Sequence, residues 1–101
     1  MKLVRDKICD ISGIRRKYRF QQLESDEEYL EALKQKLVEE SKESLSAQSK
    51  TDLISELVDL LEVVDEIRKL FKVTVTQMVS LKKMKLKEKG GFSNRIRMFS
   101  R

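Results

Sequence analysis

The chain has 101 residues, 40% of them hydrophobic and 39% charged, with no proline, three glycines and a single cysteine, Cys9. That length allows one small domain burying a modest part of its surface, and the composition favours helices over turns and sheets. An internal disulfide is excluded, no apolar run approaches a ~20-residue membrane span, and no signal-peptide core follows Met1; the expectation is a soluble cytoplasmic protein in which Cys9 is an inert, small apolar residue.

In chain order, "KLVRDKICDI" (2–11) spaces Leu3, Val4, Ile8 and Ile11 as a short helix does. "GIRRKYRFQQL" (13–23) reads as a loop running into an extended piece. "SDEE" (25–28) matches a capping box, with Ser25 as N-cap and Glu28 three residues on, and predicts a helix to about Ala47. "AQSKTD" (47–52) is a short polar turn in which Ser49 or Thr51 caps a second helix over about 51–71, the most apolar part of the chain. "TVTQ" (74–77) is another capping box and opens a helix to about Lys89. "KGG" (89–91) stops it, with Gly90 free to take a left-handed C-cap conformation. "FSNRIRMFSR" (92–101) reads as an extended arm. Two long helices joined by a short turn are expected to pack antiparallel. The sequence therefore predicts one all-α domain over 1–101: an N-terminal helix and basic extended segment (1–24), a helical core (25–89) and a C-terminal arm (90–101).

Charge is unevenly placed. Residues 1–19 carry seven Lys/Arg against two Asp/Glu, residues 20–66 four against fourteen, and residues 67–101 eleven against one. The net charge of +5 thus hides an acidic centre between two basic ends, suited to cations in the middle and an anion at the ends.

On a helical wheel at ~100° per residue, Leu30, Leu33 and Leu37 define the apolar direction of the first long helix. Glu40 falls at the edge of that arc and Glu43 further round. In the second, Leu53, Leu57, Leu60, Val64, Ile67 and Phe71 form the stripe, widened by Val63 and Leu70; Glu56 lies inside it and Asp59 just outside. Each helix therefore carries an acidic pair at i, i+3, the spacing that stacks two side chains on one face. A half-buried carboxylate is costly unless a cation or metal partners it. Hard oxygen ligands in a chain without histidine point to Mg²⁺ or Mn²⁺ rather than zinc. Geometry alone also allows both pairs to be solvated surface residues, as Glu24, Asp26, Glu27, Glu31, Glu62, Asp65 and Glu66 are read to be. Lys36 and Lys42 are read as solvent-facing.

Glu40-x-x-Glu43, twelve intervening residues, then Glu56-x-x-Asp59 resembles the signature of the all-α nucleoside triphosphate pyrophosphohydrolases, the superfamily of MazG, the dimeric dUTPases and phosphoribosyl-ATP pyrophosphohydrolase. "KLVRDKI" (2–8) and "KGGF" (89–92) resemble a small MazG-related branch, so the similarity spans nearly the whole chain. Cys9 replaces that branch's usual proline, and Ser41 and Ser44 replace larger apolar residues. The resemblance implies a four-helix-bundle core completed by oligomerisation, as a homodimer or dimer of dimers, and Mg²⁺-dependent cleavage of an NTP to NMP and pyrophosphate. It implies Glu40, Glu43, Glu56 and Asp59 as metal ligands, with Glu39 as an assistant in orienting water beside Glu40.

The chemistry of a phosphoanhydride suits such a site, because hydrolysis asks mainly for positioning and charge neutralisation. The basic ends then supply candidates to grip phosphate: Lys85 and Lys89 first, then Lys82, Arg5 and Lys7. Phe92 is read as a core residue, with base stacking as its other option. The second helix is apolar over more than half its circumference, which also asks for a partner chain. The competing reading is a non-catalytic helical module binding nucleic acid through its basic ends; the acidic centre opposes it, and "RRKYRF" (15–20) is the only aromatic–basic interleaving.

Overall fold

The computed structural model describes all 101 residues; its regular structure is all helical, with no strand. The residues group into two compact units, Met1–Phe71 and Lys72–Arg101. The first contains a 3₁₀ turn (Asp6–Asp10) and three α-helices: α1 (Ile14–Lys17), α2 (Asp26–Ser46) and α3 (Lys50–Leu70). The second contains α4 (Val75–Lys89).

The capping signals set the helix starts. Ser25 accepts from the Glu28 amide at 3.1 Å, Ser49 (not Thr51) accepts from the Asp52 amide at 3.1 Å, and Thr74 forms a complete reciprocal box with Gln77. Each cap satisfies an amide that the first turn leaves without an intrahelical partner. At the far end of α4, Gly90 takes φ +78°, a region that favours glycine, but its ψ of −177° is extended rather than left-handed helical.

Two segments differ from expectation. The helix predicted over 2–11 is only the 3₁₀ turn Asp6–Asp10: no side chain caps its start at Arg5, and the chain is extended again at Ile11. The segment expected to be a loop instead winds one α-turn, Ile14–Lys17, before it becomes extended at Tyr18; Arg15 lies over the Phe20 ring at 5.6 Å.

α2 and α3 pack against each other across a three-residue connector, Ala47–Ser49. Tyr29, in the first turn of α2, donates to Glu66 near the end of α3 at 2.9 Å, while Glu40, nearer the connector, meets Glu56 and Asp59. This register is antiparallel. The core is thin: Leu33 at 1% exposure and Val63 at 8% are the only fully buried apolar side chains. On α3 the inward face runs through Leu60, Val63, Val64 and Ile67; Leu53, Leu57 and Phe71, expected in the buried stripe, are exposed. Ile54, Leu57, Val58 and Leu61 make an open apolar face at i, i+3, i+4, i+7. Phe92, read as a core residue, is also exposed. No helix is long and apolar enough to cross a membrane.

Candidate metal centre

The hairpin register brings the two acidic pairs together. One carboxylate oxygen each from Glu40, Glu56 and Asp59 lies within 4.8 Å of the others, and Glu39, Glu40 and Glu43 form a second such group that shares Glu40. Oxygens around a hexacoordinate Mg²⁺ at 2.0–2.1 Å stand about 3–4.2 Å apart, so small side-chain rotations close either group onto one ion.

Burial differs along the cluster. Glu40 is 5% exposed, Glu39, Glu56 and Asp59 are half-buried, and Glu43 is exposed. Glu40, expected at the edge of the apolar arc, is thus the buried member. Its backbone carbonyl accepts from Ser44 Oγ at 2.9 Å, and Ser41 Oγ donates to Leu37 O at 2.8 Å. The two serines therefore satisfy themselves on the helix turn carrying the acids, where bulkier apolar residues were expected.

Glu40 Oε2 and Glu56 Oε2 are both buried and have no hydrogen-bond partner. A buried acceptor left unmatched is costly, and a buried anionic one more so. The ionisation equilibria reflect this. Burial, then repulsion from Glu43 and Asp59, raises the Glu40 carboxyl above its ordinary range, with Lys36 pulling it partly back. Glu56 is pushed up to about 7, first by sharing a hydrogen bond with Glu43, then by burial and by repulsion from Glu43, Glu40 and Asp59. Orphaned oxygens, mutual repulsion and an all-carboxylate donor set fit a hard divalent cation such as Mg²⁺ or Mn²⁺.

Beside the cluster, a cleft of about 280 Å³ opens between α2, α3 and the N-terminal segment. Leu33 and Val63 line it, together with Glu40, Asp59 and two cations. Arg5 donates to both Asp59 and Glu62, which raises its already high pKa. Lys36 Nζ lies 3.3 Å from Glu39 Oε2 and 3.4 Å from Glu40 Oε1, and only 18% of its side chain is exposed. Lys36 is therefore a member of the site and not the solvent-facing residue expected. The i+3 and i+4 spacing to Glu39 and Glu40 was the signal that could have found it. Glu62 and Glu66, read as background, also line the cleft, Glu66 through its bond from Tyr29, whose hydroxyl is pushed up to about 12 by burial and by Glu66.

Of the phosphate-binding candidates, Arg5 stands at the acids and Lys7 is exposed on the 3₁₀ turn. Lys82, Lys85 and Lys89 are exposed on α4, in the second unit. Cys9 is a free, half-buried thiol whose Sγ lies 3.3 Å from Asp6 O. No protein-family model, curated protein or solved structure matches the chain.

Proposed function

We propose that this chain is a Mg²⁺-dependent nucleoside triphosphate pyrophosphohydrolase of the MazG-like all-α type, converting an NTP, of a non-standard or surplus kind, to NMP and pyrophosphate. The observation that carries the reading is Glu40: a buried carboxylate with an unpartnered oxygen, facing Glu56 and Asp59 across a helical hairpin. Glu40, Glu43, Glu56 and Asp59 would hold Mg²⁺, or Mn²⁺ in its place. When bound, the ion would supply an activated water and charge stabilisation for the leaving pyrophosphate. Glu39, half-buried beside Glu40, would assist in orienting the attacking water. Leu33 and Val63 give the cleft an apolar lining beside the acids, which strengthens the charge interactions there.

The same reading takes a homodimer, or a dimer of dimers, as the working form. The open apolar face of α3, formed by Ile54, Leu57, Val58 and Leu61, favours burial against a second copy.

The test is a panel of ordinary and modified NTPs with Mg²⁺ or Mn²⁺, read by pyrophosphate release, beside the Glu56→Gln protein. Metal-dependent release that Glu56→Gln abolishes supports the proposal. No product from any NTP refutes the enzymatic reading.

A further inference from the structure

Besides Lys2, which reaches Glu39 at 3.6 Å, two cations occupy the acidic centre, and each sits on an oxygen that a divalent ion would want. Lys36 Nζ is 3.4 Å from Glu40 Oε1, and Arg5 is bonded to Asp59. Both line the same cleft. The Lys36 arrangement is not a simple surface pair, whereas Arg5 is half-exposed and meets its acids on the cleft wall. Lys36 is mostly withdrawn from solvent, and its carboxylate partner Glu40 is 5% exposed with its second oxygen unmatched. Arg5 reaches its acids from a segment 54 residues away in the sequence.

We infer that Lys36 and Arg5 are exchangeable counter-ions: they hold Glu40 and Asp59 in the cation-free protein, and when a divalent ion takes those carboxylates they become the anion subsite of the cleft, for a diphosphate-like group. This rests on the pyrophosphohydrolase reading above and names the side chains that would meet the phosphates.

The electrostatics drive the exchange. An ion bound through Glu40 Oε2 lies within a few ångströms of the Lys36 ammonium, which sits on Oε1 of the same carboxylate. Two cations sharing one carboxylate repel, and both gain from an anion placed between them. Asp59 sets the same competition between the ion and Arg5. The two groups divide the recognition by their shapes. A guanidinium offers paired N–H donors that match two phosphate oxygens, while an ammonium on a flexible stem supplies a point charge. The cleft beside them is large enough for a diphosphate, and its walls carry no further basic side chain. Lys36 therefore has a role that lysines on an exposed helix do not, because it starts in contact with a candidate ligand.

The opposing signs of the two effects make the inference testable without turnover. Calorimetry on the full chain measures Mg²⁺ alone, then inorganic pyrophosphate at fixed Mg²⁺. Lys36→Met keeps the stem and removes the charge. It is expected to bind Mg²⁺ a few-fold more tightly, having lost a competitor, and pyrophosphate at least tenfold more weakly. Arg5→Gln should behave in the same way, Lys36→Arg should restore pyrophosphate binding, and Lys34→Met, an exposed change on the same helix, should alter neither. If Lys36→Met and Arg5→Gln leave pyrophosphate affinity unchanged, or weaken Mg²⁺ and pyrophosphate together, the exchange is overturned while the metal centre stands. If the parent chain binds no Mg²⁺, the metal reading itself fails and this inference falls with it.

Discussion

Glu40→Gln changes one atom type in the most buried acid of the chain, and its consequences run in opposite directions with and without a cation. At an effective dielectric of 20, two charges 4.8 Å apart interact by about 3.5 kcal/mol and two charges 3.4 Å apart by about 5 kcal/mol. The first separation is the upper limit for Glu40 and Asp59, and the second is that of Glu40 and Lys36. Burial and repulsion from Glu43 act most strongly against the ionised carboxylate, Lys36 opposes them, and Asp59 adds a smaller repulsion. The amide keeps an acceptor for Lys36 and turns the orphaned oxygen into an N–H donor facing neighbouring carboxylates. After solvent screening, a gain on the order of 1 kcal/mol is expected for the cation-free variant. For a domain of this size that raises the melting midpoint by roughly 4–8 °C. With Mg²⁺ at ten times its Kd, the parent should gain about 1.4 kcal/mol, or roughly 6–11 °C, and the variant almost nothing. Thermal unfolding followed by circular dichroism in EDTA and in MgCl₂ reads both effects. A variant that melts below the parent in EDTA, or that keeps the parent's Mg²⁺ shift, would refute this account of Glu40.

Leu33→Ala, at 1% exposure, should cost on the order of 2–5 kcal/mol and remove most α2–α3 helicity on mild warming, whereas Leu45→Ala, at 88%, should stay within about 0.5 kcal/mol; denaturant titration separates them. Glu56, raised to about 7 from 4.5, binds more protons folded than unfolded between those values. Cation-free stability from this group should therefore fall as pH rises across that window, while Mg²⁺ affinity rises and levels above about 7. Melts at several pH values check the first, and calorimetry in buffers of different ionisation heat detects the protons released on binding. Val58→Lys with Leu61→Lys should reduce the sedimentation mass of the proposed homodimer to 11.9 kDa; a parent chain that already sediments at 11.9 kDa refutes the dimer.

Local signals in the sequence carried the helices. Ser25, Ser49 and Thr74 act on amides three residues away, so their effect needs no knowledge of the fold. The acidic pairs were also visible, because Glu40 and Glu56 interrupt apolar stripes whose period is that of the helix. What the wheel did not decide is which part of the wide α3 stripe turns inward. Leu57 and Val63 are both apolar, and the choice follows from where α2 lies. Lys36 reads as solvent-facing from its charge alone, yet it lies one turn before Glu39 and Glu40 and its ammonium reaches both. The pairing of Arg5 with Asp59 is tertiary and leaves no mark in either local segment.

The acids of the candidate centre all lie between Glu39 and Asp59, around a connector of three residues. Closing that loop is entropically cheap and belongs to the earliest contacts a chain of this topology makes. The repulsion is met at the same moment, since Glu40 reaches Glu56 as soon as the hairpin zips. Mg²⁺ should then act on the folding rate as well as on the unfolding rate, relieving charge in the transition state that forms the hairpin. Stopped-flow refolding would show this as a folding limb that speeds up with added cation.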